Sequence, residues 1–170
     1  MKIVYLLGSL SRGGTETLLL DVFCNADKAS YDFIGIHRKD GVLKDDFYAT
    51  KKSLFKLQPN FPFDVAYLWR LRKLLKKEKI DVVHAQQSLD AVYAKIACVG
   101  MRIKIIQTLH GYDNLDGGKN KLISLSFKLT DNNIFVSNFQ KKYYKEKYQL
   151  KRDKQETVYN GVSFEKFDKK

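Results

Sequence analysis

A pair of glycines, Gly13 and Gly14, followed by Thr15 and Glu16, is the stretch of this sequence best suited to holding an anion. Glycine lets a backbone approach a ligand closely, and free N–H groups where a turn meets a helix attract negative charge. Three known patterns can be tested against this turn. A dinucleotide fingerprint, G-x-G-x-x-G, fails because Leu10 stands where its second glycine is needed. His37 also stands where an acidic ribose ligand would follow the second strand. A P-loop frame accepts Gly8, Gly13 and Thr15, but Gly14 replaces the lysine that neutralises the outer phosphates, which argues against an NTPase. The nucleophile elbow, G-x-S-x-G, is absent. These residues alone leave two readings level: a phosphate or sugar site, and a tight turn with no ligand.

Other reactive side chains are scattered. His37, His84 and His110 form no cluster in sequence, so no metal is expected. Cys24 and Cys98 lie far apart in apolar surroundings and are expected as buried, reduced thiols on helices.

The elements that must position the turn follow from hydrophobic pattern. Ile3 to Leu7 is a continuous apolar run, the mark of a strand buried on both faces. Leu18-Leu19-Leu20 and Val22-Phe23 then form a helix packed on the sheet. Further strands are expected at Tyr31–His37, Ser53–Leu57, Ile80–Ala85, Arg102–Leu109, Asn133–Val136 and Glu156–Tyr159. Helices are expected within Val42–Lys52 and over Phe63–Lys79, Ser88–Val99, Lys119–Leu129 and Phe139–Lys147, the last capped by Ser137 or Asn138. This alternation predicts an α/β fold, a Rossmann-like doubly wound and mostly parallel sheet flanked by helices.

At 170 residues the chain is expected to be a single domain. Its 44% hydrophobic and 29% charged content is ordinary for a globular protein, and no apolar window reaches the roughly 18 residues of a membrane span. A cytoplasmic protein is expected. The net charge of +12 points to negative partners: nucleic acid, an anionic membrane, or phosphorylated small molecules.

Five stretches, in order, resemble family-4 glycosyltransferases, the large retaining group with the GT-B fold. They are Gly13-Gly14-Thr15-Glu16, Asp81-Val82-Val83-His84-Ala85, Thr108-Leu109-His110-Gly111, Val136-Ser137, and Val158-Tyr159-Asn160-Gly161-Val162 with Phe167. Ser163 departs from the aspartate usual in the last motif. The resemblance implies the first, acceptor-side domain of a bacterial transferase, residues 1–170, with the donor-binding domain and its E-x7-E motif absent. The whole enzyme would move a sugar from a nucleotide-sugar to a saccharide or lipid-linked acceptor, in surface polysaccharide synthesis. The isolated chain would be inactive, and the resemblance implies no cofactor beyond the donor substrate and no metal.

It also implies roles. Catalytic His110 would hydrogen-bond the transferred sugar. Gly13, Gly14, Ser137, Asn160 and Gly161 would meet the donor's phosphate and sugar. Thr15, Glu16, Tyr112 and Asp113 would meet the acceptor, and His84 would be structural. The basic faces Arg70–Lys79 and Lys141–Lys147 would dock peripherally on the inner membrane leaflet. Two rivals stand beside this: a stand-alone module for a phosphorylated ligand, and a nucleic-acid-binding domain. The second lacks a binding motif, and its cations are spread over separate helices, so no nucleic-acid partner is expected.

Overall fold

Seven segments form parallel strands in the computed structural model, which describes residues 1–26, 31–112, 118–150 and 154–161. They are β1 (Lys2–Ser9), β2 (Asp32–Lys39), β3 (Leu54–Lys56), β4 (Val82–Ala85), β5 (Lys104–Leu109), β6 (Asn132–Phe135) and β7 (Gln155–Thr157). The helices between them are α1 (Gly14–Asn25), α2 (Lys44–Ala49), α3 (Val65–Lys77), α4 (Ser88–Ala97), α5 (Gly118–Leu129) and α6 (Asn138–Tyr148). Strand order is β3-β2-β1-β4-β5-β6-β7, and each neighbouring pair is parallel. This is the expected α/β, Rossmann-like, doubly wound sheet.

Alternate residues of each central strand serve different cores, which is why the strands read as unbroken apolar runs. Leu7 and Phe33 pack with Leu19 and Phe23 of α1 and Phe47 of α2. Val4, Leu6, Ile34 and Ile36 pack with Tyr67, Leu71 and Leu75 of α3 and with Tyr93, Ala94 and Ala97 of α4. A third cluster joins Leu109 and Phe135 to Ile123, Phe127 and Tyr144 of α5 and α6.

Side chains fix the ends of these helices. Asp64 caps α3 by accepting from the backbone N–H groups of Ala66 and Tyr67, and it also accepts from Asn60. Arg72, which falls within the basic face expected over Arg70–Lys79, donates from Nη1 to the carbonyls of Ala97 and Val99 at 2.8 and 2.7 Å. It thereby satisfies carbonyls at the end of α4, which a helix leaves unpaired. Gly100 follows with a φ of +74°, the left-handed conformation that glycine adopts without strain.

The cysteine expectation is half corrected. Cys98 is buried at the end of α4, and burial pushes its thiol up to about 11. Cys24 is exposed, because it follows buried Phe23 by one residue on α1 and so turns about 100° away from the sheet.

Candidate functional site

The order of winding reverses between β1 and β4, and a crevice opens there at the carboxyl ends of the strands. The loop after β1 forms one wall. Its backbone is held from the next unit: the Leu10 N–H donates to the Lys39 carbonyl, and the Leu43 N–H donates to the Leu10 carbonyl. Gly41 lies against this loop so closely that a Cβ there would stand 2.3 Å from backbone atoms of Leu10 and Ser11. Fully buried His37 supports the same corner, its Nδ1 3.1 Å from the Lys39 carbonyl oxygen.

Gly13 occupies the N-cap of α1, and no side chain caps this helix. Its own N–H is spent inside the turn on the Ser11 carbonyl at 3.1 Å. The amides of Gly14, Thr15 and Glu16 have no protein partner among the described residues. A Cβ on Gly14 would meet nothing within 4 Å, so this end of the helix is open. The Glu16 carboxylate folds back over the turn, accepting from Ser9 Oγ at 3.5 Å and lying against Gly13. Its charge already complements the positive helix end.

His110 forms the other centre, just past β5. Its Nε2 lies 2.7 Å from Oε1 of Gln86, a buried side chain just past β4. An amide oxygen only accepts, so Nε2 carries the proton and Nδ1 is left as an acceptor in the neutral ring. Nδ1 has no partner among the described residues. Burial lowers the pKa of His110 below the usual histidine value and keeps the ring neutral. His84 sits behind it on β4, Nε2 2.7 Å from Thr108 Oγ1 and stacked obliquely on Tyr5. Burial, and secondarily the charge of His110, lower His84 to about 4.

Two grooves meet at His110. One, of about 510 Å³, is lined by Thr15, Gln86, Gln87, Thr108, His110 and Tyr112 among others. The second runs from Tyr5, His84 and His110 to Tyr159, Asn160 and Gly161. Tyr112 is fixed edge-on against Tyr143, with ring centroids 5.1 Å apart. Thr15, His110, Tyr112, Asn160 and Gly161 thus line two grooves that share His110, whereas Gly13, Gly14 and Glu16, beside Thr15 in the turn, line neither. Ser137 lies elsewhere: it caps α6, its Oγ accepting from the Gln140 N–H at 3.1 Å, and it lines neither groove. Asp113 falls outside the described residues. Gln86 was invisible from sequence, where a polar residue after a strand reads as loop; only its place between a strand end and the cap of the next helix could have marked it.

A parallel sheet with this switch point, an uncapped glycine turn and a neutral histidine at a strand end defines a Rossmann-like domain with a cleft at its carboxyl edge. Residues 12–166 match the model of Glycosyltransferase Family 4, and the chain belongs to that family. No curated protein sequence matches it. Among solved structures, a glycosyltransferase from Rickettsia africae ESF-5 is similar at 21% identity and a TM-score of 0.77, over 98% of this chain and 45% of that one. Anabaena Alr3699/HepE in complex with UDP-glucose is similar at 18% identity and a TM-score of 0.79, over 97% and 45%. The lipopolysaccharide outer core galactosyltransferase WaaB, in its apo form, is similar at 17% and 0.71, over 96% and 46%. The chain spans less than half the length of these structures.

Proposed function

We propose that these residues form the acceptor-side domain of a retaining glycosyltransferase that takes its sugar from a UDP-sugar. The observation that carries this reading is that His110 joins a groove lined by Thr15 of the glycine turn to one lined by Asn160, in a chain of this family. The UDP-glucose held by the Anabaena relative supports the donor class. The relatives' greater length supports a further domain that grips the nucleotide, so the 170 residues alone are inactive in this account.

In the transfer, the bond from the anomeric carbon to the diphosphate breaks and its electron pair leaves with the nucleoside diphosphate. The acceptor hydroxyl oxygen forms the new glycosidic bond and its proton is released. Neutral His110 accepts a hydrogen bond at Nδ1 from a hydroxyl of the transferred sugar, while Gln86 fixes the ring. The amides of Gly14, Thr15 and Glu16 face the developing charge of the diphosphate, which they stabilise without reorganising. Gly13 gives the diphosphate room to approach, and Asn160 and Gly161 border the sugar. Ser137 contributes by holding α6. Thr15, Glu16, Tyr112 and Asp113 contact the acceptor, a saccharide or lipid-linked glycan of surface polysaccharide synthesis.

Peripheral membrane docking is part of this proposal. Phe61, Phe63, Val65 and Trp69 are exposed together where β3 leads into α3. Lys73 lies over the Trp69 ring at 5.3 Å, and Lys76 and Lys77 follow. Aromatic side chains beside lysines suit the interface of an anionic bilayer. No helix among the described residues is long and apolar enough to cross a membrane. Incubating the protein from its whole reading frame with a panel of UDP-sugars and a glycan acceptor tests the reading. UDP release that depends on the acceptor is the expected result.

A further inference from the structure

A third groove, of about 360 Å³, opens at the carboxyl ends of β1 and β2 and shares Gln87 with the groove at His110. Gly8, Ser9, Arg38, Lys39, Gln58 and Gln87 line it, two cations with no carboxylate among them. Arg38 is held from behind. Its Nε lies 3.3 Å from Oδ1 of Asp90, a carboxylate on α4 that is 1% exposed, and its Nη2 donates to Gln87 Oε1 at 2.7 Å. Nη1 has no partner among the described residues, nor has Gln87 Nε2. Gln87 itself packs so tightly on Gly8 that a Cβ there would lie 2.7 Å from Nε2.

Fixing an arginine with a buried acid costs desolvation, and burial pushes the Asp90 carboxyl up to about 6 against the pull of Arg38. A surface arginine serving only solubility needs no such anchor. The arrangement pre-sets a guanidinium so that one nitrogen still faces the groove, with Lys39 beside it. The N–H groups that remain on such a guanidinium can donate charge-assisted hydrogen bonds to a phosphoryl oxygen.

We propose that this groove binds a phosphoryl group of the acceptor, with Arg38 and Lys39 as its ligands and Asp90 and Gln87 as positioning residues. The inference rests on the acceptor-side reading above and adds the chemical class of the acceptor. It separates acceptor recognition from the donor's diphosphate, which belongs at the turn after β1.

The test follows Arg38 Nε–H and Gln87 side-chain amide signals in 1H–15N spectra of the 170-residue chain, titrated with inorganic phosphate against chloride at equal ionic strength. Saturable shifts are expected with phosphate, and Arg38→Gln should weaken binding by about tenfold or more. Because Arg38→Gln leaves Asp90 buried without its partner, the double variant Arg38→Gln/Asp90→Asn is measured too and should fold and fail to bind. A hexose 1-phosphate and a micellar short-chain phosphatidic acid then separate a sugar phosphate from a lipid phosphate, and tighter binding of either supports the site. Equal shifts with chloride, unchanged binding in the double variant, or displacement of phosphate by UDP would overturn it. Acceptor-dependent UDP release by the protein from its whole reading frame tests the transferase reading separately, so its failure is distinguishable from a failure of phosphate binding at Arg38.

Discussion

At the scale of single residues, the account turns on a neutral His110 whose Nε2 is committed to Gln86 and whose Nδ1 is free to accept. His110→Ala is expected to lower kcat by about 100-fold, the range seen when one transition-state hydrogen bond is removed. Gln86→Leu, which keeps the bulk and removes the acceptor, should lower it less, by loosening the ring rather than deleting it. Steady-state kinetics on both variants checks this pair. His84 gives a stability prediction with a definite sign. Its pKa is lowered from 6.5 to about 4, so the unfolded chain binds the proton more readily than the folded one. The stabilisation from neutral His84 is complete above pH 6.5 and is lost as pH falls toward about 4. Urea midpoints measured across that window should decline, and the decline should flatten in His84→Asn.

At the scale of elements, the β1–α1 turn is shaped as much by the loop after β2 as by its own glycines. Gly41→Ala would drive a Cβ into the backbone of Leu10 and Ser11, which cannot swing aside as a side chain can. A loss of roughly 1–3 kcal/mol, the usual cost of overpacking, is expected in chemical denaturation, with weakened UDP-sugar binding. Arg72→Ala should cost about 1–2 kcal/mol by removing the two bonds to the end of α4. Strands and helices were legible in the sequence because apolar runs and 3.6-residue periodicity decide them locally. The part Arg72 plays at the end of α4 was not, since its partners lie 25 and 27 residues away. The constraint on Gly41 is silent in sequence for the same reason: it comes from the loop it touches, across β2. Cys24 was misread because an apolar neighbourhood does not say which side of a helix a residue takes.

At the scale of the whole molecule, the family was legible because five short motifs fall in order along the chain. Gln86, Gln87, Arg38 and Asp90 belong to no motif and become meaningful only when the parallel order places β1, β2 and β4 side by side. The exposed aromatics around α3 are the face that the proposal above assigns to an anionic membrane. Trp69→Ser is expected to reduce sedimentation with phosphatidylglycerol vesicles severalfold while leaving binding to neutral vesicles negligible, and added salt should weaken the remainder. The central claim is that this cleft transfers a sugar with His110 in contact with it. The most direct test measures acceptor-dependent UDP release from UDP-sugars by the protein expressed from its whole reading frame, wild type beside His110→Ala. The account predicts turnover by the wild type and a loss of about 100-fold in the variant. No release from any UDP-sugar, or a variant as fast as the wild type, would contradict it.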